Sequence, residues 1–294
     1  MTRNHNNSPR LSEQQLIDRY KSEASVRPTR FCRSKRWLDL LIAGVLVGPM
    51  SLIIGLLVLL VRRTSDGPGI FKQERVGLHG RVFTIYKLRS MHIDAERRLG
   101  PTWASKNDPR VTRVGYWLRK LHLDELPQVF NVLKGDMSLV GPRPERPEFV
   151  SLLCQDLDGY MNRLSVRPGV TGLAQINLPP DSGWESARSK QVLDLEYIER
   201  GSLFLDLRMM LATALRIIGI KGDWVIWLTR LKHVSHVEGV EEIAPPSRPT
   251  SMSDLAESTG MMEDECLDEP HVGHRRFTAE TDAIPNEQVQ AVTE

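Results

Sequence analysis

Only three cysteines, Cys32, Cys154 and Cys266, occur among 294 residues, and they stand far apart. That spacing excludes a paired zinc motif and a disulfide framework, so a reducing cytoplasm is the expected setting. No Walker-type glycine loop, Gly-x-Ser-x-Gly elbow or dinucleotide fingerprint is present, which removes the usual signatures of nucleotide hydrolases and serine hydrolases. The polar stretch Met1–Arg36 lacks an early apolar core and a small-residue cleavage site, so no cleaved secretory signal is expected. Internal repeats are absent too.

What the chain does have is an uneven charge and one long apolar run. The net charge of +2 conceals an acidic end: residues 233–294 carry fourteen Asp/Glu against three Arg, leaving 36 basic and 23 acidic side chains before them. A basic body favours anionic lipid headgroups and phosphorylated ligands; nucleic acid is not among the expected partners. Leu40–Val61 is uncharged over 22 residues, roughly 33 Å as a helix, about the thickness of a hydrocarbon core. Arg33, Lys35 and Arg36 precede it and Arg62-Arg63 follow it. Similar basic clusters at both ends favour keeping both on the cytoplasmic side. Gly48-Pro49 near the middle is a membrane break at which the helix can bend back into the leaflet it came from, although proline-bent helices also span.

Beyond the turn cluster Thr64–Gly69, Ile70–Val76 and Arg81–Leu88 read as a β-hairpin closed by Gly77-Leu78-His79-Gly80. Polar Thr102–Pro109 reads as a loop. Helices are predicted over Val114–Leu121, from Asp124 to just before Gly135, over Leu152–Leu164, Glu185–Arg200 and Leu203–Ile220, with a loop containing Pro179–Gly183 before the fourth. The last is apolar enough to be either a core helix or an amphipathic one lying at a membrane interface; Trp224 and Trp227 beside Lys221, Arg230 and Lys232 favour the interface. Four parts follow: a polar segment 1–33, a membrane helix 34–63, a catalytic domain 64–232 and an acidic tail 233–294 expected to have little order.

The adjacent carboxylates Asp124 and Glu125 are the candidate catalytic pair. Asp124 also suits the N-cap of the helix behind it, with Pro127 tolerated in the first turn. Such a pair can hold magnesium, whose hard charge prefers oxygen ligands and substrate phosphates, or one carboxylate can attack phosphorus and carry a covalent intermediate. Arg75, Arg89, Arg119, Arg143 and Arg167, whose guanidinium forks match phosphate oxygens, and the point charge of Lys87 are candidate phosphate ligands. Among them Arg143 stands out, because Pro142 and Pro144 stiffen the backbone that presents it. His79, His92 and His122 lack ligand-like spacing.

These segments together resemble the bacterial sugar transferase family, the monotopic phosphoglycosyl transferases. The resemblance is carried by Lys35–Asp39, Gly67–Gly77, Tyr86–Met91, Leu123–Pro127, Lys134–Glu145 and Arg167–Gln175, in the family's order over about residues 34–230. It implies transfer of a sugar-1-phosphate from a UDP-sugar to undecaprenyl phosphate with release of UMP, with Mg2+ as cofactor. It further implies Asp124 as nucleophile, Glu125 as its acidic partner in metal binding or acceptor activation, Arg119 as a phosphate contact and Pro142-Arg143-Pro144 as part of the nucleotide pocket. The implied fold is mixed α/β (α+β), helix-rich, with a re-entrant membrane hairpin, a small β-hairpin and interfacial amphipathic helices. The implied place is the cytoplasmic face of the bacterial inner membrane, feeding exopolysaccharide, capsule or O-antigen synthesis; anionic lipids, favoured by the basic body, and further copies of the chain are the other partners considered. Leu88 stands where members often have Phe, and Gly48 where Ser precedes the proline. The chain resembles the compact branch, without further N-terminal transmembrane helices, and the acidic tail has no counterpart. A silent membrane scaffold and a phosphohydrolase are the rival expectations.

Overall fold

The computed structural model describes residues 10–95, 108–178, 184–217 and scattered positions up to 231. Thr102–Asn107, Pro179–Gly183, Lys221, Trp224, Trp227, Arg230, Lys232 and the acidic tail therefore lie outside the described residues. The chain divides into two units, Met1–Thr259 and Gly260–Glu294, and everything below concerns the first.

The first helix, α1 (Glu13–Glu23), begins with a reciprocal cap between Ser12 and Gln15. Its Leu16 is fully buried in a cluster with Val76, Leu153 and Tyr160, so the N-terminal segment packs onto the body. After the short α2 (Arg30–Ser34) comes α3 (Arg36–Thr64), one helix that contains both Gly48 and Pro49. No loop divides it; any turning back is made by a bend at the residue that lacks an N–H. One stripe of α3, including Ala43, Ile54 and Val61, belongs to the same core cluster as Ile85, Leu88, Leu118 and Val132. The opposite side presents Trp37, Leu41, Val45, Leu52, Leu56 and Leu59 bare.

Both ends of α3 are fastened to the body. Arg36 donates to the carbonyls of Val132 and Leu133, and Asp39 Oδ1 accepts from Ser138 Oγ and Leu139 N, each at 3.0 Å. At the other end Arg89 donates to the carbonyls of Ser65 and Asp66. Between Lys35 and the rest runs a buried polar knot: Lys35 Nζ donates to Asp206, Tyr197 and the Val140 carbonyl at 2.6–2.8 Å.

The expected hairpin forms from β1 (Ile70–Val76) and β2 (Val82–Leu88), antiparallel, in the register Ile70↔Leu88 to Val76↔Val82. Helix α4 (Arg113–Lys120) starts at Thr112, whose Oγ1 accepts from Gly115 N. Gly115 packs so close to the end of the hairpin that an added Cβ would sit 1.9 Å from the Ser90 carbonyl oxygen. Helix α5 (Gln128–Lys134) docks on β2 through Asn131, which donates to the Thr84 carbonyl and accepts from Tyr86 N.

Strands β3 (Ser138–Val140) and β4 (Gly169–Thr171) pair in parallel. A Cβ on Gly169 would lie 2.1 Å from Gly141 N, so only glycine allows this approach. The helix expected over Leu152–Leu164 is two pieces. Helix α6 (Pro147–Asp156) starts earlier, on a proline suited to a first turn, and Gly159 at φ 68° then leads into a 3-10 turn over Tyr160–Ser165. The short α7 (Leu173–Asn177), α8 (Trp184–Arg200) and α9 (Leu203–Ile217) complete the body. Helix α9 is amphipathic: Leu205, Met209 and Ala212 are core, while Leu203, Phe204, Leu207 and Leu211 are exposed. Among the described residues the fold is thus helix-rich with two two-stranded sheets, the mixed α/β class expected.

Candidate active site

The dyad sits at a tight corner. Helix α4 ends and His122 takes a left-handed conformation, φ 54°, swinging the chain into a 3-10 turn over Leu123–Glu125. Bonds from Glu125 N to His122 O and from Leu126 N to Leu123 O close that turn. Asp124 is therefore not the N-cap of α5, which begins at Gln128 with Pro127 in the cap position and no side-chain cap. The tight turn extends past Asp124, and its carboxylate, buried at 8% exposure, accepts no hydrogen bond from a described residue.

Glu125 is the opposite case. Its Oε1 accepts from Lys87 Nζ on β2 and from Arg143 Nη2, both at 2.8 Å. Burial alone would push Glu125 up, but Arg143 and Lys87 outweigh it and hold this carboxyl well below the usual range. For Asp124, burial and then the neighbouring Glu125 charge push the carboxyl up, opposed by Lys87, Arg119 and Arg143. The pair thus splits into one firmly ionised, doubly held carboxylate and one bare carboxylate of raised proton affinity. Burial also pulls Lys87 down, with Glu125 opposing.

Arg143 follows β3 in the segment Pro142-Arg143-Pro144, which is pinned on both sides. The Pro142 carbonyl accepts from Gly169 N at 2.9 Å, and the Pro144 carbonyl accepts from Arg75 Nη1 at 3.0 Å. Arg75 is mostly shielded from solvent, which lowers its pKa to about 10, and its other terminal nitrogen bonds Gln73. Behind the segment Arg163 pairs with Asp194, donates to Tyr160 and reaches the Arg143 carbonyl. Glu145 lies between Arg75 and Lys190 at 3.7–3.8 Å. Pro142, Arg143, Pro144, Glu145, Arg163 and Val76 line a crevice here.

The structure brings Lys87, Arg143, Arg75, Pro142 and Pro144 together with Glu125, and Arg119 with Asp124 through its charge. Arg119 is oriented by a bond from its Nε to Ser90 Oγ at 2.8 Å. Two expected ligands have other partners. Arg89 is buried and caps the carbonyl end of α3, where three oxygens of Ser65 and Asp66 converge on its guanidinium. Arg167 gives its Nε to the Gly135 carbonyl, at the end of α5 away from the dyad. Missed by the sequence reading were Ser90 and the support from Arg163, Asp194, Tyr160 and Glu145; Ser90 lies 29 residues from Arg119 and Asp194 31 from Arg163, separations that no local spacing marks.

The dyad thus sets a carboxylate with no hydrogen bond from a described residue beside one braced by Lys87 and Arg143. Residues 30–219 match the bacterial sugar transferase family. The chain belongs to that family. Among relatives, an undecaprenyl-phosphate glucose phosphotransferase of Komagataeibacter xylinus is 41% identical over 191 residues, covering 63% of this chain and 36% of the relative. A UDP-N-acetylgalactosamine-undecaprenyl-phosphate N-acetylgalactosaminephosphotransferase of Aeromonas hydrophila is 43% identical over 184 residues, 63% of this chain and 43% of that one. An uncharacterized sugar transferase, EpsL, of Bacillus subtilis (strain 168) is 40% identical over 190 residues, 64% of this chain and 89% of its own length. The chain thus spans only 36% to 43% of the length of the first two relatives. The family match encloses α3, the dyad and the Pro142–Pro144 segment alike.

Proposed function

We propose that this bacterial sugar transferase is a phosphoglycosyl transferase: it moves a sugar-1-phosphate from a UDP-sugar to undecaprenyl phosphate, releases UMP and begins lipid-linked glycan synthesis. The observation that carries the proposal is the division of labour in the dyad, with Asp124 unbonded among the described residues and Glu125 locked by Lys87 and Arg143.

In the first half-reaction a carboxylate oxygen of Asp124 attacks the sugar-bearing phosphorus. The bond from that phosphorus to the bridging oxygen breaks, and UMP leaves with the electron pair. Raised proton affinity makes Asp124 a better nucleophile than an exposed aspartate once ionised. In the second, an undecaprenyl phosphate oxygen attacks the same phosphorus and Asp124 departs as a carboxylate. Lys87, Arg119 and Arg143 offset the charge of the passing phosphates, and Pro142-Arg143-Pro144 is the segment assigned to the nucleotide.

Magnesium fits as an ion shared with the substrate rather than caged by protein. No three His, Cys, Asp or Glu side chains converge among the described residues, and Glu125 Oε1 is already taken by two cations. Asp124 and the second Glu125 oxygen are the donors left to hold it, which is enough for an ion that keeps waters and phosphate ligands. When bound it would screen the phosphate charge.

Helix α3 is the one described helix long and apolar enough to cross a membrane. With both of its ends fastened to one body, we read it as dipping into one leaflet and returning by a bend at Gly48-Pro49. The bare apolar faces of α9 and of α4, with Tyr116 and Trp117 exposed, support interfacial contact with anionic lipid. UDP-sugars are cytosolic, so the site faces the cytoplasm at the inner membrane. The test incubates purified protein with a panel of UDP-sugars, Mg2+ and undecaprenyl phosphate, and follows UMP and the mass of the lipid product. Asp124→Asn should end UMP release without unfolding the chain. Free sugar phosphate without lipid product would mark a phosphohydrolase; no UMP from any donor would mark a scaffold.

A further inference from the structure

The last residue of the run Leu123–Gln128 has no part in the scheme above, yet it holds an unusual position. Gln128 is 2% exposed and its Nε2 has no acceptor. Other glutamine amides on the body are used: Gln155 Nε2 donates to Ser151 O at 2.9 Å, Gln175 Nε2 to Val170 O at 3.1 Å and Gln191 Nε2 to Asp158 O at 2.8 Å. Asn131, one turn further along α5 and fully buried, spends its amide on Thr84 O and Tyr86 N. A buried amide donor left unpaired is destabilising, so a chain that keeps one calls for an acceptor that arrives from outside.

Its placement says which acceptor. Gln128 lies between Glu125, which is bonded to Lys87 of β2, and Asn131, which is bonded to Tyr86 of the same strand. Asp124, Pro127, Gln128, Val129 and Asn131 are buried in this stretch, whereas Glu125, Leu126 and Phe130 are partly exposed. The unpaired amide is thus buried four residues along the chain from the carboxylate that accepts no hydrogen bond from a described residue.

We propose that Gln128 is a catalytic residue whose Nε2–H donates to a non-bridging oxygen of the sugar-bearing phosphate as Asp124 attacks. This rests on the transferase reading. Charge spreads over the phosphoryl oxygens in such transition states, and a neutral, preset donor there stabilises it without adding a cation that would pair with Asp124 and blunt it.

The experiment compares wild type, Gln128→Leu and Gln128→Met for kcat and KM with the UDP-sugar that wild type uses, alongside melting temperature. The expected result is a kcat lowered about a hundredfold, a KM within about threefold of wild type because the contact strengthens in the transition state, and a melting temperature equal to or above wild type. A kcat within twofold of wild type would overturn the assignment, as would a lower melting temperature with unchanged turnover per folded molecule. Failure of both variants to fold would overturn it too, by showing that the amide serves the protein interior. Wild type that turns over no UDP-sugar refutes the transferase reading and this assignment with it; active wild type beside equally active variants refutes this assignment alone.

Discussion

Removing the charge of Glu125 should weaken the fold, whereas removing the charge of its neighbour should strengthen it. Glu125 accepts two charge-assisted hydrogen bonds, from Lys87 and from Arg143, each worth about 1.5–3 kcal/mol when desolvated. Side-chain exposures of 15% and 16% place the Glu125–Lys87 bond near that range, while Arg143, 33% exposed, is discounted towards the surface value of about 1 kcal/mol or less. Glutamine would still offer an oxygen, so Glu125→Gln should cost about 2 kcal/mol, or roughly 4–8 °C in melting temperature for a body of this size. The pH dependence has a definite sign. A carboxyl depressed in the folded state stabilises above its unfolded pKa and loses that contribution as pH falls through the lower folded value. The gap between wild type and Glu125→Gln should therefore be full at pH 7 and close only in strong acid. Asp124, raised in the folded state, works the other way: its stabilising contribution is present at low pH and is lost as pH rises through the raised value. Asp124→Asn should accordingly melt higher than wild type at pH 7. Calorimetry of detergent-solubilised protein decides the matter; an unchanged melting temperature for Glu125→Gln, or a lower one for Asp124→Asn, would refute the division of the dyad.

The same raised affinity of Asp124 should appear in turnover, with kcat falling on the acid side at a midpoint above the ordinary aspartate value of about 3.9; a midpoint at or below it would contradict the burial argument. Arg89→Ala should lower melting temperature by removing the cap on α3, yet leave KM for the donor within about twofold, and a large rise in KM would restore Arg89 as a ligand. Lys35→Met should cost about 3–5 kcal/mol by stranding Asp206, with much of that recovered in the double variant Lys35→Met/Asp206→Leu. Denaturant unfolding of the four-member cycle measures this coupling.

Elements governed by local rules were legible in the sequence: the hairpin from its alternation and glycines and α3 from its apolar length, whereas Asp124, read as a helix N-cap, stands in a 3-10 turn instead. Helix α1 was missed: Ser12 and Gln15 have capping spacing, but its polar surroundings hid it. Illegible were the pairings made across the chain. Arg89 looked like a phosphate ligand because nothing local says that Ser65 and Asp66 will place three oxygens before it. Lys35 finds Asp206 across 171 residues, and Arg163 finds Asp194 across 31. The dyad was visible as two letters, while the asymmetry that gives them different chemistry depends on a strand lysine and a loop arginine brought in by the fold.

The way α3 is attached bears on handling the protein in water. Ala43, Ile54 and Val61 share an interior with Ile85, Leu118 and Val132, so this helix is a wall of the building as well as its mooring. Cutting away residues 36–64 would open that interior to solvent instead of freeing an intact enzyme. Repainting the outer side, at Trp37, Leu41, Val45, Leu52, Leu56 and Leu59, with polar residues would release the mooring and leave the wall standing.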